Sequence, residues 1–399
     1  MKSIIILNLE LSTSFILSVI LFSCNSTRQE HAEINAPPED ETLSLVFCGD
    51  VMAHTQNFRM KDYSLIWEGI KEITQNSDFT FANIESPIND EAPFENYPTF
   101  NMQYSYPQAA VDAGINVITV ANNHTNDHLE TGINATRKWE LYITQKYEDT
   151  SRPVYVSGLK TDISTVENAL KSEVSYCTFS KGDFKILFLG ITQLLNTQGF
   201  KDLINYFPNT TAQNKKLLET IRHIRENNPC DVFILALHTD ETEYILDVTQ
   251  KRRDFYLELL DSGVDILWAN HPHVVKPVEY IADSESGRIK KAILYATGNT
   301  ISGQRRKPNF KNPEAMREYT GDGILVSLNL KKENGKVFIK NSKIDYITTF
   351  IDSSNNYLIK LMNDDFFYSL NEQGLIQWKE YLIERKKLLK QQKEIITWQ

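Results

Sequence analysis

Apolar runs along this chain end repeatedly in polar clusters. Leu45-Val46-Phe47-Cys48 runs into Gly49-Asp50, and Val117-Ile118-Thr119-Val120 runs through Ala121 into Asn122-Asn123-His124-Thr125-Asn126-Asp127. Val232-Phe233-Ile234-Leu235-Ala236-Leu237 stops at His238, and Val264-Asp265-Ile266-Leu267-Trp268-Ala269 stops at Asn270-His271-Pro272-His273. Short apolar runs bounded by polar turns read as buried strands, and further strands are predicted at Lys185–Gly190, Ala292–Ala296 and Ile324–Leu330. Helical spacing predicts helices at Tyr63–Gln75 (Leu65, Ile66, Ile70 and Ile73 on one face), Thr131–Lys146, Gln213–Asn227 and Thr249–Ser262. This alternation, from Leu43 to about Lys332, favours a layered α/β domain. Beyond Leu330 the pattern changes: Val337–Phe350 reads as a late strand pair, and Glu372–Ile396 as a long, basic, amphipathic helix.

In an open α/β sheet the C-terminal strand ends face a common crevice where ligands bind. Asp, Asn and four His gathered there have the composition of a metal site, one suited to two ions. Asp50 directly follows a strand, with Gly49 to let the backbone turn. His54 would share a face with Asp50 if the chain coils there. Alternation through Phe79-Thr80-Phe81 points Asn83 and Glu85 to one side, so the Glu85 carboxylate can bridge two cations; a surface Glu before the Pro87 turn is the plainer reading. The Asn123 oxygen suits a hard cation, and Asp127 can orient His124 for acid–base work. His271 and His273 at i and i+2 would face the same way in extended chain. His31, His128 and His223 read as linker or surface residues.

Export is the expectation for the N-terminus. An apolar stretch, densest from Phe15 to Phe22, leads into Leu21-Phe22-Ser23-Cys24, which resembles a bacterial lipoprotein signal with Cys24 as the lipidated residue. Asn25–Glu41, with Pro37-Pro38, reads as a flexible tether spanning about 20–25 Å r.m.s.. The reading is therefore a signal over 1–24, a tether over 25–41, a main domain over 42–332 and a C-terminal extension over 333–399. The domain would be lipid-anchored to the cell envelope, outside the cytoplasm. Cys48, Cys177 and Cys230 have no short pairing and give no disulfide framework. A net charge of −10 argues against nucleic acid as a partner.

The clusters carry a family resemblance. GDVM (49–52), NIE (83–85), ANNHTNDHLETG (121–132), HTDETEY (238–244), NHPHVVKPVE (270–279) and TGN (297–299), in that order, resemble the CapA family of poly-γ-glutamate capsule proteins, a branch of the calcineurin-like metallophosphoesterases. The resemblance covers roughly residues 43–331. It implies a four-layer αββα sandwich with two divalent ions (Mn, Zn, Fe or Mg). Asp50 and His273 would ligate the first ion, Asn123, His238 and His271 the second, and Glu85 would stand where a bridging aspartate is usual. His124 would sit beside the leaving group. Asn299, Gln304 and Arg305, in and after the TGN motif, are candidates for contacting an anionic substrate, since guanidinium suits carboxylate and phosphate.

Met52 stands where phosphoesterases commonly place a second ligand for the first ion, and a thioether suits a hard cation poorly; His54 is the candidate replacement. Thr239-Asp240 replaces a usual Trp-Gly pair, and Lys276 a Gln. The resemblance implies metal-dependent hydrolysis of a phosphoester or a γ-glutamyl amide. The alternative is a non-catalytic, metal-containing binding or assembly component working with capsule synthesis and export proteins.

Overall fold

The computed structural model describes residues 42–160 and 174–399; the predicted signal, Cys24 and the tether lie outside the described residues. Asp40–Gln399 forms one compact unit. Its strands are β1 (Thr42–Val51), β2 (Phe79–Ile84), β3 (Val117–Thr119), β4 (Tyr155–Ser157), β5 (Cys177–Lys181), β6 (Phe184–Thr192), β7 (Val232–His238) and β8 (Ile266–Asn270). After these come β9 (Val278–Ala282), β10 (Ile289–Leu294), β11 (Asn299–Ile301), β12 (Asp322–Glu333), β13 (Lys336–Ile351), β14 (Tyr357–Leu361) and β15 (Glu394–Trp398).

All belong to one mixed 15-stranded sheet, ordered β4-β3-β2-β1-β12-β13-β10-β8-β7-β6-β5, with β11 on β1, β14 on β13, and β9 between β10 and β15. β1–β4 run parallel to one another, as do β6, β7, β8 and β10. The long β12–β13 hairpin joins these two halves. Its turn is Asn334-Gly335, both at positive φ (52° and 73°), the backbone a tight two-residue hairpin requires.

Period-two alternation sorts the strand side chains into separate cores. Leu43, Leu45 and Phe47 of β1 join Ile234 and Ala236 of β7 and Trp268 of β8 in a core shared by both halves. Phe47 stacks on Phe81 at 4.5 Å, and Phe81 meets Trp268 and Phe188 of the other half at 6.2 and 5.5 Å. Each such ring contributes roughly 1.5–3 kcal/mol by burial. The opposite faces pack on helices. Val46 and Cys48 of β1 lie with Ile133 and Trp139 of the helix Leu129–Tyr147. Leu235 and Leu237 of β7 lie with Leu217, Ile221 and Ile224 of the helix Thr211–Asn227, which Thr210 caps at its start.

Three elements differ from the sequence reading. The predicted helix over 63–75 breaks into Ser64–Trp67 and Lys71–Gln75, with Ile70 (φ −126°) between them. Val337–Phe350 lies within a single strand, β13, not a pair. The long C-terminal helix is shorter: Ile376–Leu389 is helical, and Glu394–Trp398 forms β15, parallel to β9. That helix packs Tyr381, Leu382 and Leu389 into the shared core. No helix among the described residues is long and apolar enough to cross a membrane.

Candidate metal centre

Strand register brings the polar clusters together at one edge. Asp50 of β1 is level with Asn83 of β2 and with Asn299 of β11, and His238 of β7 is level with Asn270 of β8. The loops after β2, β3 and β8 add Glu85, the Asn122–Asp127 segment, and His271 with His273. Gly49 lies within β1, so its role differs from the predicted turn. A Cβ there would stand 1.8 Å from the Gly298 carbonyl oxygen, so the glycine permits close contact between β1 and the turn before β11.

Two groups of three buried residues have ligand atoms within 4.8 Å of one another: Asp50, Glu85 and His238, and Glu85, His271 and His273. Glu85 belongs to both. The resemblance instead paired His238 with His271; their rings are 4.9 Å apart, centroid to centroid. The His271–His273 loop is also not extended. φ is 106° at His271 and 56° at His273, a conformation costing on the order of 1–3 kcal/mol per residue. The Tyr244 N–H holds this loop by donating to the Pro272 carbonyl at 2.9 Å.

Hydrogen bonds fix the ring nitrogens. His273 Nδ1 is 3.0 Å from Asn299 Oδ1 and 3.2 Å from Asp50 Oδ2, so Nδ1 carries the proton and leaves Nε2 toward Glu85, 3.7 Å away. His238 Nε2 lies 2.8 Å from Asn123 Oδ1 and 3.8 Å from Glu85 Oε1. Asn83 Nδ2 donates to Asp50 Oδ1 at 2.8 Å, and Asn122 Nδ2 to Asn83 Oδ1 at 3.2 Å. His124 Nδ1 meets Asp127 Oδ2 at 2.6 Å, and the Phe100 N–H donates to the same oxygen at 2.8 Å.

The chemistry of this donor set fits a cation. Both Glu85 carboxylate oxygens are buried without a hydrogen-bond donor, and His271 Nδ1 is likewise unpartnered, although Glu85 is 0% exposed. Leaving such groups unsatisfied is costly unless something positive joins them. Without a metal, protons fill that role. Burial, reinforced by Asp50, pushes the Glu85 carboxyl well above its usual range. Burial lowers His273, but Glu85 and Asp50 outweigh it and carry that imidazole up to about 10. Burial and then His273 hold His271 down to about 3, and burial with His271 and His273 keeps His238 neutral. Neutral His238 and His271 meet what metal ligation requires, whereas His273 would release a proton on binding an ion.

The matching profile is that of bacterial capsule synthesis protein PGA_cap, over residues 44–304. The chain belongs to the PGA_cap family. It is 24% identical over 312 residues to the PGA biosynthesis protein CapA of Bacillus subtilis (strain 168), covering 77% of this chain and 72% of that one. It is 23% identical over 386 residues to the capsule biosynthesis protein CapA of Bacillus anthracis, covering 91% and 86%. Among solved structures, the calcineurin-like phosphoesterase YfkN from Bacillus subtilis is similar with a TM-score of 0.43 and 12% identity, covering 86% of this chain and 99% of that one. The PGA_cap match spans Asp50 through Gln304 and leaves β12–β15 outside it.

The remaining sequence candidates fall in different places. Asn123 reaches His238, and Asn299 bonds His273, Ser302 and Gln304. His54 lies outside both ligand groups. It stands at the start of the helix Thr55–Phe58, its Nδ1 accepts from the Gly303 N–H at 3.2 Å, and its ring packs on Phe100, which packs on His124. Arg305, expected to meet substrate, is 1% exposed and turned inward. It donates to Asp322 Oδ1 at 2.8 Å and Thr348 Oγ1 at 2.7 Å, while Arg385 holds the other Asp322 oxygen at 2.7 Å. Sequence reading missed Asn196, which bonds Asn123 and lies 3.1 Å from His124 Nδ1, and Phe100. Asn196 follows Leu194-Leu195 in the turn after the apolar run of β6, a signal passed over, whereas Phe100 had none.

Proposed function

We propose that this PGA_cap chain is an exported, membrane-anchored hydrolase with a dinuclear metal centre, acting on a phosphoester or γ-glutamyl amide of capsule or poly-γ-glutamate metabolism. The observation that carries the reading is Glu85: a fully buried carboxylate, both oxygens without donors, shared by two ligand groups. Asp50, Glu85 and His238 would hold one ion, and Glu85, His271 and His273 the other. Bound there, divalent ions would supply Lewis acidity toward water and the scissile group. The separate cores on the two faces of each half support the four-layer αββα arrangement. Anchoring through Cys24 rests on the sequence alone.

The chain's own residues then have definite tasks. Asp127 holds His124 Nδ1–H, so a proton is gained and lost at Nε2, where a leaving group can be protonated. Asn299 and Asp50 orient His273, and Asn83 orients Asp50. Gln304, hydrogen-bonded to Asn299, remains the substrate-facing candidate of the polar loop, whereas Arg305 is committed to Asp322.

The test is metal content by elemental analysis, wild type beside His273→Ala, followed by hydrolysis assays on phosphoesters and γ-glutamyl peptides. Near two equivalents, reduced in the variant, is the expected result, and no metal after reconstitution would refute the mechanism. Met52, buried two residues after Asp50, favours a second reading in which the centre binds polymer or partner proteins without turnover. Stoichiometric metal with no hydrolysis of either substrate class would select it.

A further inference from the structure

A second concentration of charge adjoins the metal centre. His54 precedes the helix Thr55–Phe58, and beyond that helix opens a cavity of about 780 Å³. Arg59, Lys61, Arg306 and Lys307 line it, against a single carboxylate, Asp62. Asp62 is engaged in its own turn, accepting from the Ser64 N–H at 2.9 Å and hydroxyl at 2.6 Å. None of the four cations is ion-paired among the described residues. In a chain of net charge −10, four unpaired cations around one ligand-sized concavity make a local anion-attracting field.

The cavity is built from packed structure. Tyr357 at the start of β14 ties its walls together: its N–H meets Met60 Sδ at 3.3 Å, and its hydroxyl donates to the Arg306 carbonyl at 3.3 Å. Asp352 fixes the neighbouring loop by accepting from the Ser354 and Asn356 N–H groups, each at 2.8 Å. Gln56, also in the lining, has a carbonyl oxygen buried without a donor. His54, next to Thr55 and Gln56 of the lining, packs on Phe100, and Phe100 on His124, which links this cavity to the metal centre. Arg306, Lys307 and the β13–β14 segment lie beyond the PGA_cap match.

We propose that this cavity is a subsite for a chain of carboxylates joined by amides, held here while a further part of the same chain lies at the metal centre. The proposal rests on the reading of that centre as one that acts on a surface polymer. Arg and Lys heads suit repeated carboxylates. Repeated carboxylates follow from the reading of the centre, and a polyphosphate of equal charge is the competing occupant that the test separates.

The test is fluorescence anisotropy of labelled oligo-γ-glutamate, and separately of linear polyphosphate of equal charge, on the full chain. It compares wild type, Arg306→Glu/Lys307→Glu and, on a different segment, Arg59→Gln/Lys61→Gln, with metal content measured on each. Binding of oligo-γ-glutamate should weaken at least roughly tenfold in the reversal pair, and measurably in the neutral pair, with metal content unchanged. Absence of wild-type binding, unchanged affinity in both pairs, or tighter binding of polyphosphate would each overturn the proposal. If the wild type carries no metal yet the variants lose binding, the subsite stands and the hydrolase reading fails.

Discussion

Replacing Glu85 by Gln tests the centre at its shared ligand. The substitution keeps shape and removes only charge. The compact unit is 360 residues, Asp40–Gln399. At about 2.1 cal/mol/K per residue its unfolding entropy corresponds to roughly 0.75 kcal/mol per degree near the midpoint. A cation at about 100 times its Kd adds about 2.7 kcal/mol, so each bound ion should raise Tm by ~3.5 °C and two by ~7 °C. Glu85 belongs to both ligand groups, so Glu85→Gln should weaken both sites. A hundredfold loss of affinity leaves ~0.4 kcal/mol per ion at the same concentration, a gain of about 1 °C in all. Without metal the order changes: burial and Asp50 disfavour the Glu85 anion, so the Gln variant should be at least as stable as wild type. The assay is differential scanning calorimetry with added Mn or Zn, and again after chelation. A full metal-induced gain in Glu85→Gln would refute a shared ligand. A chelated variant several degrees less stable than chelated wild type would show instead that the carboxylate is structural.

Other predictions test separate parts of the argument. Asp127→Asn should lower hydrolytic turnover by about 10²-fold with metal content unchanged, because the amide no longer anchors His124 Nδ1–H; a loss of metal in step with activity would contradict that role. Arg305→Met should leave metal content intact and cost about 3 kcal/mol, or ~4 °C, by breaking the buried pair with Asp322, and calorimetry beside elemental analysis checks both. Glu140 supplies the pH dependence. Burial, partly offset by Arg137, raises its folded pKa to about 7, against 4.5 ordinarily. The folded state thus binds more protons, and wild-type stability should fall as pH rises between those values. Glu140→Gln should remove that slope and be more stable by up to ~3 kcal/mol at pH above about 8, while urea titrations giving parallel profiles would refute it.

The site was legible wherever a polar residue ended an apolar run, because a buried strand must surface somewhere and its C-terminal end opens on the crevice. Asp50, His238, His271 and His273 were readable for that reason, and Glu85 from the alternation of β2. The Asn334-Gly335 turn that makes β12 and β13 one unit went unread, although Asn-Gly between two apolar runs is a hairpin signal. The C-terminal helix misled because Lys393 to Trp398 continues its composition. Only the open edge of β9 decides that Glu394–Trp398 becomes a strand.

Local order thus belonged to the sequence: the strands, most helices, the family and the ligand types. Tertiary structure decided which nitrogen of His273 faces Glu85, that Glu85 is shared, that His271 and His273 converge through left-handed backbone rather than extended chain, and that Arg305 turns inward. The physical reason is that a residue's type and spacing are local, whereas hydrogen-bond partners, burial and the fields that move protons come from elements far apart in the chain. Arg305 could face an anion or Asp322 equally well by chemistry; the packing of β12, β13 and the last helix around it determines which.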